Sequence, residues 1–151
     1  MELSKEGLSL LKQFEGLSLT SYPDSKGVWT IGFGTIKYEN GAAVKPGETI
    51  TMERAEALLM HEVKEKTKGI KAPNGLNQNQ FDALVILAYN IGTGGFNRST
   101  VKRLADVNPD DPAIRNAFLM WNKIKDPVTK KMVVVRGLIN RREAEADYYF
   151  K

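Results

Sequence analysis

The sequence contains no cysteine and only one histidine, His61. The absence of cysteine excludes a disulfide framework, a zinc–cysteine site and a cysteine nucleophile. A lone histidine favours neither a metal site nor a Ser-His-Asp triad, so His61 is expected to be a partly exposed helix residue. A chain without disulfides suits folding in a reducing cytosol.

Long apolar runs are also absent. No stretch reaches the 18 or so apolar residues that a membrane-spanning helix needs. The start, MELSKEG, lacks the basic residues followed by an apolar run that mark a secretory signal, so none is expected. The 151 residues, 42% apolar and 26% charged, predict one soluble domain. A net charge of +4 favours anionic surfaces such as cell walls, nucleic acid or membranes. Basic residues do not alternate with aromatics in a stripe, so nucleic acid is not the expected partner.

The most informative stretch begins at the end of the first predicted helix. Ser4 is expected to cap that helix, and its apolar side ends at Phe14. Glu15 follows at the edge of the same side, where a carboxyl points toward the protein. Gly16 suits the left-handed turn that ends helices. The negative end of the helix dipole disfavours an ionised carboxyl there, so Glu15 is suited to act as an acid.

A hairpin is predicted directly after this helix. Residues 17–22 alternate as in a strand, residues 23–27 carry turn chemistry, and residues 28–33 return. Such a hairpin would bring Asp24 and Thr30 back toward Glu15. Two carboxyls, one acting as acid and one as base, are the usual minimum for cleaving a bond between sugars.

The remaining pattern is mainly helical. Asn40-Gly41 predicts a turn. Thr51 caps a helix from Met52 to about Lys68. A capping box at 77–80 opens an apolar helix to about Ile91, and the glycines at 92, 94 and 95 are interpreted as a helix stop and tight loop. Further helices are predicted from Ser99 or Thr100 to Leu104, over 113–122 and over 138–150, with an isolated β-prone run at 132–135.

The string E-G-x5-Y-x-D-x2-G-x2-T-I-G-x-G, residues 15–34, resembles the signature of the phage-type lysozymes, the family of the T4 and P22 endolysins. Glu15, Asp24 and Thr30 match the catalytic glutamate, aspartate and threonine of that family. The sequence departs from it at Thr35, where most relatives have a histidine that looks structural. The loop 36–43 also looks longer than usual.

The resemblance implies an α+β, lysozyme-like fold. A small β lobe (about 16–50) and a larger helical lobe (about 76–150 plus the N-terminal helix) would be joined by a long helix (about 52–68) and would meet along a cleft. It further implies that Tyr89, Asn90, Ser99 and Arg141 contact the substrate. It also implies that Arg141 or Arg142 pairs with Glu15. A packed tyrosine, two caps and a solvated charge run are the structural alternatives for these residues.

In function, the resemblance implies a muramidase that hydrolyses the β-1,4 bond between N-acetylmuramic acid and N-acetylglucosamine in peptidoglycan. Glu15 would be the general acid, Asp24 would activate water and Thr30 would help to position it. No metal or organic cofactor is implied. An endolysin of this kind is expected to be a monomer in the host cytoplasm, released to the cell wall through a holin-type membrane pore.

Two other functions use the same residues differently. A lytic transglycosylase cleaves the same bond without water and manages with one glutamate. An inactive peptidoglycan-binding module keeps a groove but needs no acid–base pair. The joint presence of Glu15, Asp24 and Thr30 argues against both.

Overall fold

The computed structural model describes all residues, Met1–Lys151, and contains seven helices and four strands. In chain order these are α1 (Lys5–Phe14), β1 (Ser18–Pro23), β2 (Trp29–Gly32), α2 (Met52–Lys66), α3 (Gln78–Ile91), α4 (Thr93–Asn97), α5 (Thr100–Val107), α6 (Ile114–Leu119), β3 (Lys123–Lys125), β4 (Met132–Val134) and α7 (Arg136–Tyr149). The strands form two separate antiparallel pairs, which confirms the predicted α+β class. None of the helices combines the length and apolarity needed to cross a bilayer.

The chain divides into two compact units. Leu8–Lys66 forms the first, called here the β unit. Met1–Gly7 together with Thr67–Lys151 forms the second, called the helical unit. Helix α1 therefore contributes its first turn to the helical unit and the rest of its length to the β unit.

The β unit is built around β1, β2 and α2. The predicted hairpin is confirmed: Tyr22 pairs with Thr30, and Pro23 pairs with Trp29. Helix α2 begins where predicted, because the Thr51 hydroxyl accepts a hydrogen bond from the Arg54 amide at 3.1 Å. Its apolar side packs against β2. The buried side chains of this unit include Leu11, Ile31, Phe33, Val44, Ala55, Leu58, Leu59 and Val63.

The helical unit is organised around α3. The predicted capping box is present, with the Asn77 side chain accepting from the Gln80 amide and the Gln80 side chain accepting from the Asn77 amide. Every residue from 82 to 88 is buried, as expected for a helix that is apolar nearly all round. Helix α3 packs against α4 and α7, and α7 packs against α6. The rings of Phe118 and Tyr149 meet with their centroids 5.7 Å apart.

A buried carboxylate anchors the N-terminus to the helical unit. Asp82 accepts hydrogen bonds from the Ser4 backbone amide and the Tyr148 hydroxyl, both at 3.0 Å, and from the Ser4 hydroxyl. The Ser4 oxygen in turn accepts from the Gly7 amide at 3.0 Å, which confirms the predicted cap of α1. Ser4 therefore both starts its helix and ties it to α3.

Several local predictions were wrong. Gly16 is not among the glycines with a positive φ, so the chain leaves α1 without a left-handed turn. The predicted loop after Gly92 contains the short helix α4, whose Phe96 is fully buried and so fixes a helical turn. Helix α6 covers only 114–119, because the chain then enters a strand. The run at 132–135 is not isolated: Lys123–Lys125, too short and polar to stand out as a strand, pairs with it.

Candidate active site

The predicted aspartate and threonine are joined through the backbone of one residue, Val28. Asp24 Oδ1 accepts a hydrogen bond from the Val28 amide at 2.9 Å and another from the Lys26 amide at 2.8 Å. The Val28 carbonyl accepts from the Asp24 amide at 2.9 Å and from the Thr30 hydroxyl, also at 2.9 Å. The hairpin turn therefore holds the carboxylate of Asp24 and the hydroxyl of Thr30 in a fixed relation.

This arrangement defines which atoms remain for chemistry. Both amide bonds to the Asp24 side chain use Oδ1, which leaves Oδ2 for another partner. Thr30 is buried and spends its hydroxyl hydrogen on the Val28 carbonyl, so its oxygen is left as an acceptor. An acceptor carboxylate oxygen and an acceptor hydroxyl can together orient one water molecule.

Glu15 immediately follows the last residue of α1 and is half-buried. It belongs to the β unit, as do Asp24 and Thr30, so the three residues predicted from the motif lie in the same compact unit. The residue after helix α1 and the β1–β2 hairpin, which follow one another along the chain, carry the three side chains.

A fourth polar group of the β unit escaped the sequence interpretation. Glu62, on α2, has its pKa raised by burial, and the charge of Glu15 acts in the same direction. The Thr35 hydroxyl, His61 and Lys66 act to lower it. The spacing contained a signal, because Glu62 follows the buried Leu58 and Leu59 by four and three residues and so falls on their side of the helix.

The hydroxyl of Thr35 faces the carboxyl of Glu62. Thr35 is fully buried, and its hydroxyl lies near enough to the Glu62 carboxyl to lower the pKa of that group. Nevertheless, Thr35 Oγ1 makes no hydrogen bond of normal geometry. Position 35, where the sequence departs from the family motif, therefore places a hydroxyl near the Glu62 carboxyl without a hydrogen bond of normal geometry.

Replacing Glu62 by glutamine should change how stability depends on pH. With the folded-state pKa raised, the folded chain binds more protons than the unfolded chain in the window above the ordinary pKa, so stability falls as the pH rises through it. Glutamine does not ionise, so the variant does not lose stability in this pH range. We expect Glu62→Gln to unfold at a higher temperature than wild type at about pH 7 and to show no such gain below about pH 4, where both side chains are neutral.

Thermal melts at the two pH values measure this difference. Glu53→Gln, at the exposed first turn of the same helix, is the control and should show no gain at either pH. A gain for Glu62→Gln that persists unchanged at low pH would show that burial of the charge is not its cause.

The four residues predicted to contact substrate belong to the helical unit. Tyr89 is half-buried near the end of α3, and the neighbouring Asn90 is exposed. Ser99 is buried and caps α5: its oxygen accepts from the Lys102 amide at 3.1 Å, and its hydroxyl donates to the Phe96 carbonyl at 2.7 Å. Arg141 is buried on α7.

The two arginines of α7 are not a solvated charge run. Arg141 Nε donates to Glu145 Oε2 at 3.0 Å, and Arg142 Nη1 donates to Glu145 Oε1 at 2.7 Å. Arg142 also donates to the Trp121 carbonyl at 2.9 Å and to Asn90 Oδ1. Burial raises the pKa of Glu145, while the charges of Arg142 and Arg141 act to lower it. Asn90 is thus oriented by a buried ionic network.

A cavity of about 270 Å³ adjoins this network. Its lining combines an indole, aliphatic side chains, an amide and two cations: Asn90, Ile91, Trp121, Lys123, Ile124, Leu138 and Arg142.

No cluster of three or more His, Cys, Asp or Glu side chains in the chain could hold a metal ion.

Comparison with known proteins places the chain in a family. The model of the phage lysozyme family matches residues 12–145. The chain is 40% identical over 132 residues to an endolysin of Salmonella phage P22, covering 84% of this chain and 88% of that protein. The structure of an endolysin from Escherichia coli O157:H7 phage FAHEc1 superposes with a TM-score of 0.85 at 41% identity, covering 99% of this chain and 93% of the other.

A second similar structure is a muramidase domain. The muramidase domain of SpmX from Asticaccaulis excentricus superposes with a TM-score of 0.79 at 29% identity, covering 99% of this chain and 98% of that domain. These matches confirm the lysozyme-like fold implied by the motif at 15–34. The chain therefore belongs to the phage lysozyme family and is a glycoside hydrolase of that family.

Proposed function

We propose that this chain hydrolyses the β-1,4 bond between N-acetylmuramic acid and N-acetylglucosamine in bacterial peptidoglycan. The observation that carries the proposal is the Val28 backbone, which joins the Asp24 carboxylate to the Thr30 hydroxyl. The similarity to a P22 endolysin and to a muramidase domain supports the choice of substrate.

The proposed reaction is a single displacement by water. The water donates one hydrogen bond to Asp24 Oδ2 and the other to Thr30 Oγ1, which turns an oxygen lone pair toward the sugar carbon. Asp24 takes a proton as the water oxygen bonds to that carbon. Glu15 gives its proton to the leaving oxygen as the glycosidic bond breaks.

Asp24 has a second task in this mechanism. Positive charge develops on the sugar ring as the bond breaks, and a fixed carboxylate stabilises it. The two amide bonds to Oδ1 hold the carboxylate in place, so little reorganisation is needed when the charge appears. The family resemblance suggests that the configuration at the sugar carbon is inverted.

We also propose that Tyr89, Asn90 and Arg141 contribute to saccharide binding from the helical unit. The Arg142 guanidinium holds the oxygen of Asn90, which leaves the amide NH₂ as a donor toward a sugar or peptide carbonyl. Ser99 is engaged as a helix cap through both its oxygen and its hydroxyl hydrogen, so it would contact the substrate only through its remaining lone pair.

The wider role that we propose is host lysis by an endolysin. The chain would act as a monomer without a cofactor, accumulate in the host cytoplasm and reach the cell wall through a holin-type pore. A nucleic-acid partner is not part of this proposal.

Digestion of purified peptidoglycan in water labelled with heavy oxygen tests the reaction. We expect muropeptides with a reducing N-acetylmuramic acid end that carries the label on its anomeric carbon. Unlabelled anhydro ends would instead identify a lytic transglycosylase and leave Asp24 without its proposed role. Retention of the chain on peptidoglycan without any cleavage would identify a binding module.

A further inference from the structure

The β3–β4 hairpin, residues 123–134, exposes apolar side chains along its whole length. All six residues of the two strands are exposed. The exposed fractions of its large apolar residues are 49% for Ile124, 86% for Val128, 59% for Met132, 38% for Val133 and 56% for Val134. An isolated two-stranded hairpin is marginally stable in water. Because these side chains stay exposed, their burial contributes little to the stability of the hairpin.

The apolar residues occupy both faces of the hairpin. Ile124 pairs with Val133, and this pair lies on one face. The flanking pairs, Lys125 with Met132 and Lys123 with Val134, lie on the other face because side chains alternate along a strand. Lys123 and Ile124 also line the cavity beside Trp121, so the base of the hairpin borders the helical unit. Val128, Met132, Val133 and Val134 do not line that cavity and are exposed.

The turn of the hairpin presents Val128 outward. Asp126 Oδ1 accepts hydrogen bonds from the Val128 amide at 2.8 Å and from the Thr129 amide at 3.0 Å. The Asp126 amide also donates to the Lys131 carbonyl at 2.8 Å, which closes the turn. The only acidic side chain of the hairpin is thus committed to its own backbone, and an apolar residue forms the tip.

Four lysines surround the apolar residues: Lys123, Lys125, Lys130 and Lys131. Lys130 has a φ of 63° and is the only residue other than glycine with a positive φ. Glycine would adopt this conformation without strain, whereas lysine adopts it at a cost. The lysine places a cation beside the apolar tip, and the two together suit a surface that is both anionic and apolar.

We propose that this hairpin inserts its tip into the surface of an anionic phospholipid bilayer. The acyl region would take up the Val128 tip and the exposed apolar side chains of β4, while the ammonium groups of Lys125, Lys130 and Lys131 reach the phosphates. A polyanion such as nucleic acid would pair with the lysines but leave the apolar residues in water. The proposal does not depend on the chemistry of Glu15 and Asp24.

Cosedimentation with vesicles tests whether the hairpin binds an anionic bilayer. We expect the chain to bind phosphatidylcholine vesicles that contain phosphatidylglycerol, to bind pure phosphatidylcholine poorly, and to dissociate as the salt concentration rises. Val128→Asp should weaken binding about tenfold, because it places a charge at the tip. Val107→Asp is the matched control: Val107 ends α5 with an exposed fraction of 85%, so the same charge change should leave tip insertion intact.

Lys130→Gly provides an independent variant that also relieves the positive φ. It should keep or raise the melting temperature while weakening vesicle binding roughly fivefold.

Equal losses of vesicle binding in Val128→Asp and Val107→Asp would show that only the net charge of the chain matters, and would overturn the proposal. No binding by the wild type would also overturn it. A matching loss of peptidoglycan cleavage in Val128→Asp would make the hairpin a substrate contact instead and overturn it as well.

Discussion

Replacing Glu15 by glutamine is expected to lower the rate of peptidoglycan cleavage by about 10²–10⁴-fold, the usual contribution of a general acid. Glutamine keeps the size and polarity of the side chain but cannot give a proton to the leaving oxygen. Because a sugar alkoxide is a poor leaving group, the bond then breaks only with the help of Asp24 and water. The melting temperature should change little, since a half-buried polar side chain is replaced by one of the same shape.

Release of soluble muropeptides over time measures this loss. Glu6→Gln is the control: it makes the same change at an exposed position in the first turn of α1, the helix that Glu15 follows. We expect that variant to cleave at the wild-type rate. Comparable activity in Glu15→Gln and wild type would remove Glu15 from the mechanism, even if labelled reducing ends are still formed.

Replacing Glu145 by glutamine is expected to cost about 3–5 kcal/mol of unfolding free energy, as is typical when one partner of a buried ion pair is removed. Glu145 is fully buried, and it is the carboxylate that balances Arg142, which is only 1% exposed. Glutamine fills the same space but leaves the guanidinium charge without an opposite charge in an environment that solvates it poorly. The remaining bonds of Arg142 go to a carbonyl and an amide oxygen.

Urea unfolding at neutral pH measures this cost. Glu143→Gln lies two residues away on the same helix and is exposed, so it should shift the midpoint by little. A small effect of Glu145→Gln would show that the network is held by packing rather than by charge. Because Arg142 also orients Asn90, the Glu145 variant should bind saccharide more weakly even where it remains folded.

Most of the local structure could be predicted from the sequence alone. The caps at Ser4, Thr51, Asn77 and Ser99 were predictable because each is a short-range contact between a side-chain oxygen and an amide a few residues later. The β1–β2 hairpin was predictable for the same reason, since its turn residues are contiguous. The motif at 15–34 identified the family because its polar residues and glycines lie within one short stretch of chain.

Features that depend on residues far apart in the chain could not be predicted from any local pattern. The strand at 123–125 exists because 132–134 lies beside it, and neither segment is long enough to define a sheet alone. Arg142 and Glu145 are buried on α7, which packs against α3 and α6. A run of charged residues in a sequence usually predicts a solvent-exposed face instead. Glu62 faces Thr35 across 27 residues of chain, which no local pattern specifies. Caps and turns are fixed by neighbours in sequence, whereas burial of charge is fixed by neighbours in space.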